Sequence, residues 1–166
     1  MASSSSSLPS SYSISSTSQW KYDVFLSFRG EDTRNTLVDF LSYALQRRGI
    51  YFFKDDEKLE GGKTIKPELL KAIEESRFAA VILSENFASS TWCLEELAEI
   101  IDCKKEKGMT VLPIFYNVNP SDVRKQTGTF AKAFDEHEKL FKEKVGRWRD
   151  ALNHVADIVG YHVKNR

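Results

Sequence analysis

Cysteine is nearly absent from the 166 residues: there are two, Cys93 and Cys103. On one helix they would stand about 15 Å apart along the axis, too far for a disulfide. Neither falls in a metal-ligand spacing, and His137, His154 and His162 make no pair with them. The reading therefore expects no metal site and a reducing compartment, the cytoplasm with the nucleus as a second address. An excess of one charge is also missing. Lys plus Arg and Asp plus Glu are 24 each, so no bulk field draws the chain to nucleic acid or to an anionic membrane. No apolar run approaches the ~18 residues of a membrane span. Glycine-rich phosphate loops are lacking too, with neither GxGxxG nor a Walker A pair.

The start, "MASSSSSLPSSYSISSTSQ", has neither a charged n-region nor an apolar h-region, so it is no secretory signal. A plastid transit peptide would be serine-rich too, but would carry arginines, and the first is Arg29. Serine buries nothing that offsets chain entropy, so residues 1–19 are expected to form a disordered tail. Residues 20–166 then make one domain, long enough to bury roughly 70% of the surface its unfolded chain exposes.

What is present alternates. "YDVFLSF" (22–28), "IYFF" (50–53), "FAAVIL" (78–83) and "TVLPIFYNV" (110–118) are apolar, β-rich runs. Pro113 inside the fourth suggests an edge or a bulge. "YHVK" (161–164) is a candidate fifth strand. Helical periodicity lies between them. In 34–49, Leu37, Phe40, Leu41, Ala44 and Leu45 share a face and Gly49 closes the helix. Residues 65–76 follow Thr64 as a cap, with Pro67 in the first turn. Residues 89–108, 129–145 and 146–160 are further helices, and "NPSDVRKQ" (119–126) reads as a turn and a cap. Trp148, Leu152 and Val155 recur at core spacing, with Arg147 and Arg149 outside. Arg47-Arg48 and Lys104-Lys105 close helices, where cations belong. Continuous apolar strands alternating with helices mark a parallel sheet covered on both faces: an open, doubly wound α/β domain. Such sheets bind ligands beyond the carboxyl ends of their strands.

The segments at those ends are therefore the candidates. "FRGEDTR" (28–34) sets Arg29 and Arg34 beside Gly30 at a helix start, where guanidinium forks and free N–H groups suit an anion. "KDDEKLEGGK" (54–63) reads as a flap with Gly61-Gly62 as hinges. After the third strand comes "SENFASSTWCLEEL". Plotted from Cys93, the stripe of Cys93, Leu94, Leu97, Ile100 and Ile101 centres near about 50°. Glu95 falls at about 200° and Glu99 at about 240°, so both should face bulk water. Glu96, at about 300°, leans toward the protein beside its i,i+4 neighbour Trp92. It is expected to open into a crevice shared with Arg29 and Gly62. A phosphoacceptor receiver domain would share the sheet, but Ser84 stands where its aspartate belongs, and Asp55 and Asp56 follow the wrong strand.

The segments "YDVFLSFRGEDTR", "AIEESRFAAVILSENFASSTWCLEEL", "VLPIFYNVNPSDVRKQTGTF" and "RWRDALNHVADIVGYHV" resemble, in order, the plant type of Toll/interleukin-1 receptor (TIR) domain. The resemblance covers residues 22 to about 163 and implies a flavodoxin-like sheet of about five parallel strands. It implies a role in plant innate immunity and cell-death signalling, with cleavage of the nicotinamide–ribose bond of NAD+. NAD+ is then a substrate, and no prosthetic group is expected. Some members are reported to form cyclic nucleotides from nucleic acid instead. The family's catalytic glutamate, in its Trp-Cys-Leu-x-Glu-Leu motif, is Glu96 here. By the same resemblance Phe28, Arg29, Gly30, Glu31, Asp32, Thr33 and Arg34 line the substrate, Trp92 walls the pocket, and Gly62 belongs to the flap. The resemblance also implies self-association, and partners that are further TIR domains.

The chain departs from the family in two places. Asp39-Phe40 stands where many plant members carry Ser-His in a self-association surface. The family's last helix is also expected to be missing, since the chain stops at Arg166. A second surface is kept through Lys125 and Gly128. The residues fit either a piece of a longer receptor or a short protein of the family. Two functions are compatible with them: an NAD+-cleaving enzyme active on self-association, or a non-catalytic adaptor that binds other TIR domains.

Overall fold

The protein is described by a computed structural model over residues 20–55 and 65–164. The expected tail (1–19), the cap expected at Thr64 and the flap with Gly61 and Gly62 lie outside the described residues.

Strand β1 (Tyr22–Ser27) leads through α1 (Gly30–Thr33), a π-helical turn (Arg34–Val38) and α2 (Asp39–Arg47) to β2 (Phe52–Lys54). Next come α3 (Pro67–Glu74), β3 (Ser76–Leu83), a 3-10 turn (Phe87–Ser89) and α4 (Thr91–Lys107). Then follow β4 (Thr110–Tyr116), α5 (Pro120–Lys125), α6 (Thr129–Leu140), α7 (Lys142–Ala156) and β5 (Tyr161–Val163). All strand pairs are parallel, in the order β2-β1-β3-β4-β5. This is the doubly wound, flavodoxin-like α/β sheet the sequence implies. The order reverses between β1 and β3, so the ends of those two strands flank the crevice where such sheets take ligands.

Alternation along β1 divides the core. Phe25 joins the large cluster under α3, α4, α6 and α7, with Val81, Leu83, Leu97, Phe115 and Trp148. Leu26 and Phe28 point the other way, into a smaller cluster with Val38, Ala80, Ile82 and Tyr116. Among the described residues, the π turn and α2 are packed over that side, and α2 buries none of its residues completely. The line facing the sheet runs through Val38, Leu41 and Leu45. Phe40 lies one residue, about 100°, from Leu41. It is 69% exposed instead of facing the sheet with its neighbours.

Several features differ from the sequence reading. The first helix starts at Gly30, and the Asp39 amide reaching back to the Arg34 carbonyl opens it into a π turn. "PSDVRK" is helical, because the Asn119 side chain accepts from the Ser121 amide at 2.8 Å and Pro120 fits the first turn. The last two helices divide at Phe141, not Gly146, since Val145, Trp148, Leu152 and Val155 form one buried stripe. Pro113 sits in a strand flanked on both sides. Its carbonyl faces Gly160, so its nitrogen faces β5, whose ladder begins only at Ile114. At Pro113 itself, β4 is an edge on that side.

Candidate active site

Helix α4 presents the acidic motif. Ser90 caps it by accepting from the Cys93 amide at 3.1 Å, and Gly108 ends it in the left-handed region at φ 74°. Its first turn is keyed to the end of β1: the Cys93 thiol donates to the Phe28 carbonyl at 3.4 Å. One turn on, Glu96 is wholly buried, at 0% exposure. The Ser27 hydroxyl donates to Glu96 Oε1 at 3.0 Å. The inward turn read from the helical period is therefore correct, but the expected opening into a crevice with Arg29 is not found, because the carboxylate has no exposed surface.

The expected outward turn of Glu95 is not. Glu95 is 12% exposed at its side chain because α7 packs across that face. It accepts from Trp148 Nε1 at 3.2 Å and pairs with Lys144 at 3.6 Å and Arg147 at 3.5 Å. Glu99, 26% exposed at its side chain, also pairs with Arg147, at 3.0 Å. The helical plot placed both acids opposite the sheet correctly, but a second helix covers that side.

Trp92 lies one turn before Glu96 and donates from its indole nitrogen to Asp55 Oδ2 at 2.8 Å. It lines a cavity of about 530 Å³ at the end of β2. Phe53 and Leu69 supply the other apolar walls, and Lys54, Lys66, Asp55 and Glu68 the charge. That volume lies within the range of small-ligand sites. Glu96 does not line the cavity. A second cavity of about 580 Å³, at Asn117, Asn119 and His162, opens at the ends of β4 and β5. It shares no residue with the Trp92 cavity.

The 28–34 segment divides into two kinds of residue. Phe28 is fully buried, and the Arg34 guanidinium lies over its ring, 5.3 Å from the centroid. Gly30 makes room for that arrangement, because a Cβ there would stand 2.6 Å from Arg34 Nη2. Arg29 pairs with the exposed Glu31 at 3.2 Å. Asp32 and Thr33, by contrast, hold the backbone. Asp32 accepts from the Ser84 hydroxyl at 2.5 Å, from the Asn86 amide at 2.9 Å and from Asn86 Nδ2 at 3.0 Å. It thereby ties the β1 and β3 loops together across the strand-order reversal. Thr33, buried, donates to the Arg29 carbonyl at 3.1 Å.

The residues expected to serve self-association lie on the surface. Asp39 and Phe40 are both exposed on α2. Lys125, at the end of α5, and Gly128, just before α6, are exposed, with Gly128 at φ 65°. Gln126, left-handed at φ 53°, braces that loop by donating to the Arg124 carbonyl at 3.0 Å and accepting from Arg149 at 3.2 Å.

Sequence reasoning missed Ser27, Lys54 and Lys66, and it weighed Asp55 only within a rival fold function. One signal was available for Ser27. A hydroxyl inside an otherwise apolar strand needs a partner when buried.

Residues 21–166 match the family model described as the TIR domain. The chain is 56% identical over 151 residues to TMV resistance protein N of Nicotiana glutinosa, covering 89% of this chain and 13% of that protein. It is 55% identical over 162 residues to Disease resistance protein RPV1 of Vitis rotundifolia, covering 98% and 11%. It thus spans a small part of the curated relatives' length. Among solved structures, it is similar to the TIR domains of the activated Roq1 resistosome directly recognising the pathogen effector XopQ. That match has a TM-score of 0.78 and 53% identity, and covers 86% of this chain and 87% of the other.

Proposed function

Because the chain belongs to the TIR family, with plant disease-resistance proteins as its relatives, we propose that it is an NAD+ nucleosidase of plant immune and cell-death signalling, active on self-association. The observation that carries this reading is Glu96: a carboxylate turned inward, fully buried, one helical turn from a tryptophan that walls a ligand-sized cavity.

The chemistry follows from that pairing. The bond between ribose C1′ and the nicotinamide nitrogen breaks, and its electrons leave with neutral nicotinamide. The sugar left behind is an oxocarbenium-like cation, to which water adds to give ADP-ribose and a proton. A carboxylate held beside C1′ offsets that positive charge as it develops, an effect typically worth ~3–4 kcal/mol. Trp92 and Phe53 offer aromatic surface to a base, while Lys54, Lys66 and the arginines of 28–34 offer cations to a diphosphate.

Glu96 is closed off within a single chain. A site that works only after assembly accounts for this: partner chains docking through Asp39-Phe40 and Lys125–Gly128 rearrange the cavity so that substrate reaches the carboxylate. The Roq1 TIR domains occur within a resistosome, which supports an assembled state here.

The second reading, a non-catalytic adaptor, draws on the same exposed surfaces and on the closure of Glu96. Purified protein at high concentration, incubated with NAD+, separates the two. Turnover by the wild type that is abolished in Glu96→Ala supports the enzyme. Turnover unchanged by Glu96→Ala rejects the site, and absent turnover together with partner binding favours the adaptor.

A further inference from the structure

We propose that Ser27 is a positioning residue for Glu96, holding the α4 carboxylate at the end of β1 for the reaction; the inference rests on the role given to Glu96 above. The two residues are 69 positions apart in sequence and both 0% exposed, and the Ser27 hydroxyl donates to Glu96 Oε1 at 3.0 Å. Ser27 is the one serine or threonine in the strand "YDVFLS", and its neighbours Phe25, Leu26 and Phe28 are all buried.

Neither end of this contact has much freedom. Ser27 is paired in the sheet with Val81 of β3, which fixes its backbone. The start of α4 is fixed by the Ser90 cap and by the Cys93 thiol on the Phe28 carbonyl. The hydroxyl is short, with a single side-chain torsion, so it presents its proton from one place. The carboxylate oxygen that accepts it is thereby located relative to the strand end.

A hydroxyl also differs in kind from the charged donors that hold Glu95. An ammonium or guanidinium at Ser27 would neutralise the carboxylate. The neutral O–H fixes its position and brings no positive charge of its own to compete with the sugar cation. Ser27 itself need not touch substrate, so its effect falls on the rate of bond breaking rather than on substrate affinity.

The test compares Ser27→Ala, Ser27→Thr and Glu96→Ala with wild type, by NAD+ turnover and by crystal structures of the two serine variants. Thermal unfolding confirms that each is folded, and Ser27→Cys replaces the alanine variant if that one is not. Ser27→Ala is expected to lower kcat about ten- to hundredfold with KM within about threefold, and to displace the Glu96 carboxylate by about 1 Å. Ser27→Thr, which keeps the hydroxyl, is expected to restore both. Wild-type kcat with an unmoved carboxylate in Ser27→Ala overturns the proposal, as does a threonine variant no better than alanine. An inactive Glu96→Ala beside a fully active Ser27→Ala removes the role of Ser27 alone. A fully active Glu96→Ala removes the site assignment, and the role of Ser27 with it. If no form turns over NAD+, the position of the carboxylate in the two structures decides.

Discussion

Asp32 holds Asn86 twice, accepting from its backbone amide at 2.9 Å and from its side-chain nitrogen at 3.0 Å. With the Ser84 hydroxyl on the same carboxylate, one side chain spans the point where strand order reverses. Asp32→Ala leaves those donors to water and should lower stability by about 2–3 kcal/mol. For a chain of this length that is a fall in Tm of about 5–10 °C. Asp32→Asn, which keeps one acceptor oxygen, should lose about half as much. Thermal unfolding of the two variants checks the order.

Two glycines make a contrasting pair. An added Cβ at Gly30 meets only the mobile end of Arg34, at 2.6 Å, whereas one at Gly160 would stand 2.3 Å from the backbone oxygen of Pro113. Gly30→Ala should leave Tm within about 2 °C while moving the guanidinium off Phe28. Turnover should then fall about three- to tenfold if Arg34 meets the substrate's anion, as proposed. Gly160→Ala should cost about 1–3 kcal/mol of stability, because the strand pair itself must give. Calorimetry and turnover of both variants test the contrast.

Arg147 gathers Glu95, Glu99 and Asp102, the last at 2.7 Å. Its side chain is 45% exposed, so solvent screens much of the attraction. Arg147→Ala should cost about 1 kcal/mol at low salt and clearly less at 1 M salt, read from urea unfolding.

These pairings show how far the sequence could be read. The parallel sheet was legible because buried strands are continuous apolar runs, and Glu96 because the helical period fixes which side of α4 faces the sheet. The partners were not legible. Period says which way Glu95 points but not that α7 lies there, since the α4–α7 packing joins residues some fifty apart, as in Arg147 and Glu99 (|i−j| = 48). For the same reason, Ser27 could be singled out as an oddity in its strand but not assigned to Glu96. Asp32 was expected to line the substrate on the family resemblance alone, and its three hydrogen bonds, to partners more than fifty residues away, were not visible. Lys54 and Lys66 are ordinary residues at element ends until the fold sets them around one cavity.

Burial, and then the negative charge of Glu99, push the Cys103 thiol up from 9.0 to about 11. The folded chain therefore holds that proton more tightly than the unfolded one. The resulting stabilisation is fully present below pH 9 and is lost as pH rises toward 11. Tm should decline over that window, and less steeply in Cys103→Ala. The thiol should resist alkylation at pH 8 until the protein unfolds.

The central claim is that the buried carboxylate of Glu96 offsets charge on a departing sugar. Nicotinamide release from NAD+, measured on concentrated wild-type protein and on folded Glu96→Gln, tests it most directly, because the amide keeps the side chain's shape and removes only its charge. A fall of about a hundred- to a thousandfold in kcat is predicted. Release by Glu96→Gln within about twofold of wild type would contradict the account.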